Sequence, residues 1–220
     1  MKIRAGPRCV LAATEEPGNL IAMPARLASA LILSLALITS ACSSPMKTPD
    51  IKQNPHPTKR YDITMTIEDA PGPFDSVTGF ASYEVDKDDP CAPKDSVSGL
   101  HNIPEQNPAI RFTRVGDQVY KGEIYLDLMQ DADYYGLGVC RWSMTTVVTQ
   151  LKIHDLPFGS SIRTRDIISG NSEKTYFAKK LYFDTTARDF GYGGTPMSAD
   201  VVQHPSEYFS VTLTGKESQP

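Results

Sequence analysis

The first sixty residues contain no phenylalanine, tyrosine or tryptophan, although the 220-residue chain holds 10 Tyr, 8 Phe and 1 Trp. Aromatic side chains dominate packed cores, so the folded domain is expected downstream of Arg60. The chain also lacks a basic excess. Its 22 Lys and Arg stand against 26 Asp and Glu, a formal net charge of −4, which argues against the basic face of a nucleic-acid binder. No apolar run reaches the roughly 20 residues that cross a bilayer. Four cysteines in 220 residues exclude a small disulfide-dense scaffold. No G-x-S-x-G, H-E-x-x-H, P-loop or dinucleotide fingerprint occurs. His56, His101, His154 and His204 are scattered, each without a second ligand nearby, so a zinc site has no support. No catalytic residue, metal or cofactor is expected, although a triad assembled only in space is invisible to spacing.

What is present begins with an address. Leu27 to Ile38 is a twelve-residue uncharged aliphatic run, preceded by Arg26 and followed by Thr39-Ser40-Ala41-Cys42. That is the length and setting of a secretory signal, and a cysteine directly after small residues resembles the bacterial lipobox. Cys42 is therefore expected to carry lipid, with Thr39 departing from the leucine usual at that place. The stretch before Met23 contains Glu15-Glu16 and two prolines, unlike a short basic n-region, so translation is expected to start at Met23. Residues 1–41 read as the signal region. Residues 42–59, with four prolines, read as an extended tether. Ser43 behind the lipidated cysteine, where Asp would signal retention on the inner membrane, implies the periplasmic face of the outer membrane. The signal region through Cys42 takes 4 Lys/Arg and 2 Asp/Glu with it, which leaves 18 against 24 in the remainder.

Residues 60–217 alternate with period two rather than 3.6. Tyr61, Ile63, Met65 and Ile67 form one face of a first strand, and Val77, Gly79, Ala81, Tyr83 and Val85 one face of a second. Ile110 and Phe112 open a third, which a turn at Gly116-Asp117 joins to a fourth over 120–128. Residues 139–153 give a fifth, 175–183 a sixth and 209–213 a seventh, with a helical turn over 164–169 closed by Gly170. In the fifth strand Cys140, Trp142 and Met144 share one face while Val147, Leu151 and Ile153 take the other. A bulge near Thr145-Thr146 would reconcile them. About seven antiparallel strands predict an all-β sandwich or partly open barrel. Cys91 and Cys140 remain as an even pair in an exported chain, expected as a disulfide.

Two acidic clusters, Asp86-Lys87-Asp88-Asp89 and Asp131-Ala132-Asp133, have hard oxygen ligands suited to weak calcium binding. The second fails the calcium-loop pattern at Tyr135 and Trp142, and both read more simply as turns. Two long irregular stretches, 86–109 and 184–207, exceed what a connection needs. The second carries Arg188, Asp189, Phe190 and Tyr192 on glycine-flanked backbone. These residues read either as a partner-binding face, with the two aromatics as anchors, or as a lid folded onto the core.

The segments Asp69-Ala-Pro-Gly-Pro-Phe-Asp-Ser-Val-Thr-Gly-Phe80, Asp131-Ala-Asp-Tyr-Tyr-Gly-Leu-Gly-Val-Cys-Arg-Trp142 and His204-Pro-Ser-Glu-Tyr-Phe-Ser-Val-Thr-Leu213 resemble a family of uncharacterised Gram-negative periplasmic lipoproteins. Some members stand beside secreted antibacterial effectors. The resemblance implies an immunity protein that binds and blocks a toxin, and it brings no catalytic residues. A structural or assembly lipoprotein of the envelope is the alternative, and a small hydrolase with an unrecognised site the third reading.

Overall fold

The computed structural model describes residues 49–94, 98–99, 103–185 and 192–218. The signal region, the start expected at Met23 and Cys42 lie outside the described residues. The domain is a two-sheet, mostly antiparallel sandwich rather than a closed barrel. Its elements are β1 (Arg60–Glu68), β2 (Ser76–Val85), β3 (Glu105–Gln106), β4 (Thr113–Gly116), β5 (Val119–Tyr125), β6 (Trp142–Ile153), β7 (Leu156–Arg163), α1 (Thr164–Ile168), β8 (Ser172–Ala178), α2 (Lys179–Tyr182), β9 (Tyr192–Gly193), α3 (Ala199–Gln203), a 3-10 turn (Pro205–Glu207) and β10 (Tyr208–Glu217). One sheet has the order β4-β5-β1-β10-β8, the other β3-β2-β6-β7-β9.

The alternation read in the sequence places the core. Ile63 and Met65 of β1 are fully buried, and Tyr61 and Ile67 nearly so. The phase slip in β6 is a bulge: Ser82 pairs with Thr146 and Tyr83 with Met144, which leaves Thr145 without a partner. One extra residue exchanges the faces, so Met144, Val147, Leu151 and Ile153 all point inward. Where the two sheets meet, Phe177 and Phe209 stack at 5.2 Å and Phe158 meets both edge-on at 5.4 Å.

Three strand assignments change. β7 is an additional strand not assigned from the sequence, its Pro157, Gly159, Ser160 and Ser161 giving it loop-like composition. Its inward residues Leu156, Phe158, Ser160 and Ile162 nevertheless alternate at period two, and the β6–β7 hairpin turns at His154 with φ of 53°. The sixth strand ends at Ala178, where Lys179–Tyr182 coils into α2. Ile110 and Phe112 precede β4 instead of forming it.

Those two residues close one side of the sandwich. Ala81 N–H donates to Pro108 O and Ile110 N–H to Gly79 O, so this stretch first follows β2. It then crosses to the other sheet and enters β4. At the crossing a Cβ on Gly122 would stand 2.5 Å from Ile110 Cγ2, and one on Gly79 would stand 2.8 Å from Phe112 Cε2. The bare backbone of these two glycines makes room for the passing side chains. The opposite side is closed by 192–195. Tyr192 and Gly193 pair in parallel with Phe158 and Gly159 of β7, while Thr195 and Tyr176 of β8 exchange hydrogen bonds of 2.8 and 2.9 Å. The two long stretches are therefore not structureless, because each contributes a seam between the sheets.

The Cys91–Cys140 disulfide is formed, with Cα atoms 5.1 Å apart, and both cysteines are fully buried with Val85 and Ala92 beside Trp142. Closing a loop of 49 residues stabilises by about 4 kcal/mol on a chain-entropy account.

Residues 52–59, the second half of the expected tether, lie against the domain. Gln130 N–H donates to Lys52 O, Asn54 N–H to Leu128 O, and Gln53 bridges Met129. The Asp127 carboxylate accepts from the backbone N–H of Thr58 and Lys59, at 3.0 Å each, and from the Thr58 hydroxyl at 3.1 Å. Residues 52–59 thus form an arm laid along the domain. Burial alone would raise the Asp127 pKa, but these donors outweigh it and hold the carboxyl below its ordinary 3.8. A depressed folded pKa contributes stability that is complete above the ordinary value and is lost as pH falls through the lower folded one. Amide protection over 52–59, relative to the intrinsic exchange rate at each pH, should therefore fall at strongly acidic pH before the core strands open. Asp127→Ala should weaken the arm by about 2 kcal/mol at neutral pH and abolish that acid dependence. An arm equally protected at neutral and strongly acidic pH would contradict this account.

Candidate functional site

β1, β8 and β10 run side by side, and their register sets Glu68 opposite Ser210 and Ser210 opposite Tyr176. This brings Lys174 to Glu68 across 106 positions of sequence, Nζ donating to Oε2 at 2.5 Å, while Ser210 Oγ donates to the same oxygen at 3.2 Å. The hydrogen bond and charge of Lys174 hold the Glu68 carboxyl low, and the hydrogen bond to Glu68 holds the Lys174 ammonium high. The ammonium also lies 5.7 Å from the centre of the Tyr176 ring.

Above this pair sits α3. Its N-cap Ser198 accepts from Val201 N–H, the ordinary stabilisation of a first turn. Buried Val201 anchors it from below. Tyr208 donates its hydroxyl to Asp200, which raises the phenol pKa. Between helix and sheet lies an open cleft of about 610 Å³ whose lining includes Glu68, Lys174, Tyr208, Met197 and Val202. Met197 is 59% exposed and Val202 64%. A finished core covers such side chains, so they are available to an incoming apolar surface, with the ion pair beside them for polar contacts.

No family model, curated protein or solved structure matches the chain.

Arg188, Asp189 and Phe190 lie outside the described residues, and of Tyr192 only the backbone is described, in β9. The acidic clusters are occupied as turn acceptors. Asp86 accepts from Asp88 N–H and Asp89 from Cys91 N–H, Asp131 from Trp142 N–H, and Asp133 from Gly136 and Leu137 N–H. Among the described residues, no group of three or more His, Cys, Asp or Glu side chains is placed to hold a metal. Sequence reasoning missed Glu68, Lys174, Met197 and Val202. The ion pair exists only through strand register, and period-two alternation says nothing about a five-residue helix. The one local signal was Ser198 followed by Ala-Asp-Val-Val, a helix start inside a stretch read as irregular.

The pair is half-exposed, with 41% and 49% of the two side chains accessible, and such pairs contribute little. Lys174→Ala should therefore lower stability by less than about 1 kcal/mol, and Val202→Ser by less than about 0.5 kcal/mol. Phe209→Ala, in the aromatic cluster, should cost about 4 kcal/mol. Equilibrium unfolding of the three variants checks this. A loss for Val202→Ser as large as that for Phe209→Ala would make the α3 wall part of the core.

Proposed function

We propose that the protein is an exported lipoprotein of the cell envelope, anchored through Cys42 to the periplasmic face of the outer membrane, that binds another protein. Its most concrete form is an immunity protein that blocks an imported antibacterial toxin, and the reading assigns it no catalysis. The observation that carries the binding role is the cleft beneath α3, where Met197 and Val202 stand exposed beside a charged pair. The export reading is supported by the Cys91–Cys140 bond, since such bonds persist in oxidising compartments, and by the lipobox-like Thr39-Ser40-Ala41-Cys42. The resemblance of three segments to Gram-negative lipoproteins found near antibacterial effectors supports the immunity version. Met197 and Val202 of the cleft belong to the same stretch, 184–207, that the sequence offers as a binding face.

Competition between sibling cells tests the proposal. A deletion strain grown in contact with its parent should be outcompeted, and should grow normally alone. Wild-type protein should restore survival. Cys42→Ala should not, and Val202→Asp should restore it only weakly while folding normally. Equal competition by the deletion strain, with an envelope defect in isolated culture, would overturn the immunity reading in favour of envelope assembly.

A further inference from the structure

The end of the sandwich opposite the cleft carries a second exposed apolar feature. Asp131 to Cys140 leads into β6, and within it Leu137 is 53% exposed and Val139 47%. The loop is held in shape from both sides. The Asp133 carboxylate accepts from Gly136 and Leu137 N–H at 2.6 and 3.1 Å, Cys140 N–H donates to Ala132 O at 3.0 Å, and Cys140 is bonded to Cys91. Gly136 and Gly138 take φ of 74° and 127°, conformations open to glycine at little cost. Leu137 and Val139 thus project from a preformed, disulfide-stapled loop, and presenting them requires little further ordering.

The N-terminal arm reaches the domain at this same loop. Lys52 N–H donates to the Tyr134 hydroxyl at 3.3 Å, and that hydroxyl donates to Gln130 O at 2.6 Å. Tyr134 is three residues from Leu137. Only nine residues lie between Cys42 and Lys52, so the two are at most about 35 Å apart even along a fully extended chain. A lipid on Cys42 would therefore hold this loop next to the bilayer at an effective concentration on the order of millimolar. At that concentration, a contact too weak to anchor a free protein becomes populated.

We propose that residues 133–139 form a membrane-contacting tip, with Leu137 and Val139 entering the interface of the bilayer to which the protein is anchored and Tyr134 and Tyr135 behind them at headgroup level. The proposal rests on the reading of Cys42 as lipidated. Tyrosine, amphipathic by its ring and hydroxyl, suits that depth. The charges around the tip select the kind of surface. Asp86, Asp88, Asp89, Asp131 and Asp133 outnumber Lys52, Lys87 and Arg141 there, so the contact is apolar and tolerates neutral headgroups better than anionic ones. β1 spans nine residues, about 26 Å, between this end and Glu68. The contact therefore turns the cleft beneath α3 away from the membrane, toward an incoming protein.

The test uses the full-length lipidated protein in vesicles of phosphatidylcholine that carries a spin label on its acyl chains. With Cys42 lipidated and Cys91 bonded to Cys140, the mature chain has no free thiol, so Leu137→Cys and Val202→Cys each accept one fluorophore. The label at 137 should be quenched more than the label at 202, because only the tip reaches the headgroup/acyl boundary, and phosphatidylglycerol should reduce the difference. Flotation of the same vesicles reports the anchor separately. Protein that floats with equal quenching at both sites overturns the tip and leaves the anchor standing. Protein that does not float overturns both. A quenching difference that grows with phosphatidylglycerol would replace the apolar contact by an electrostatic one and overturn the proposal.

Discussion

Two stacked sheets are open along both sides, and in this domain the passage of Ile110 and Phe112 between Gly79 and Gly122 closes one of them. The constraint is steric. The chain leaves the edge of β2 and enters β4 on the facing sheet, so the side chains at the crossing occupy space that any Cβ on those glycines would fill. Interiors are packed to crystal-like density, which makes so narrow a passage sensitive to a single methyl group. The other side is closed by 192–195, where Gly194 lies so close to Thr175 and Phe177 that an added Cβ would overlap the threonine methyl. With both sides sealed, the two ends of the sandwich are left to carry function.

Those ends differ in chemistry. One carries the disulfide, the acidic turns, the arm and the apolar pair Leu137 and Val139. The other carries the Glu68–Lys174 pair and the short helix α3 with Met197 and Val202. On the reading proposed above, lipidation at Cys42 assigns the first end to the membrane and leaves the second for a partner. The arm matters to this arrangement because Asp127 fixes Thr58 and Lys59 and so shortens the free chain. A tether free as far as Arg60 would let the domain tumble, whereas nine residues restrict it to the neighbourhood of the bilayer.

Much of the fold was legible because burial in a sandwich imposes period two, which β1 shows most cleanly and β6 shows on either side of its bulge. Even the bulge at Thr145 could be read from the exchange of faces between Met144 and Val147. β7 was hidden because its Pro157, Gly159 and two serines carry loop composition, and its neighbours satisfy an edge that composition does not reveal. The strand expected through Phe183 ended at Ala178 because alternation over Lys179 to Phe183 fits a helical turn equally well at that length. The disulfide was legible from the even pair of cysteines that remains once export is expected. The cleft was not, because its charged pair depends on two strand registers and its apolar wall is a matter of exposure. Arg188, Asp189 and Phe190 lie outside the described residues, so the cleft rests on other side chains.

The measurement closest to this account is the equilibrium unfolding of Gly122→Ala beside Gly159→Ala. Both glycines are in strands, where alanine ordinarily gains from the lower entropy of its unfolded chain. A Cβ at Gly159 meets nothing within 4 Å, whereas one at Gly122 meets Ile110 at 2.5 Å and Phe112 at 3.1 Å. Gly159→Ala should be neutral or slightly stabilising, and Gly122→Ala should lose about 2 kcal/mol through overpacking. Equal stability of the two variants would contradict the claim that the crossing at Gly122 closes the sandwich.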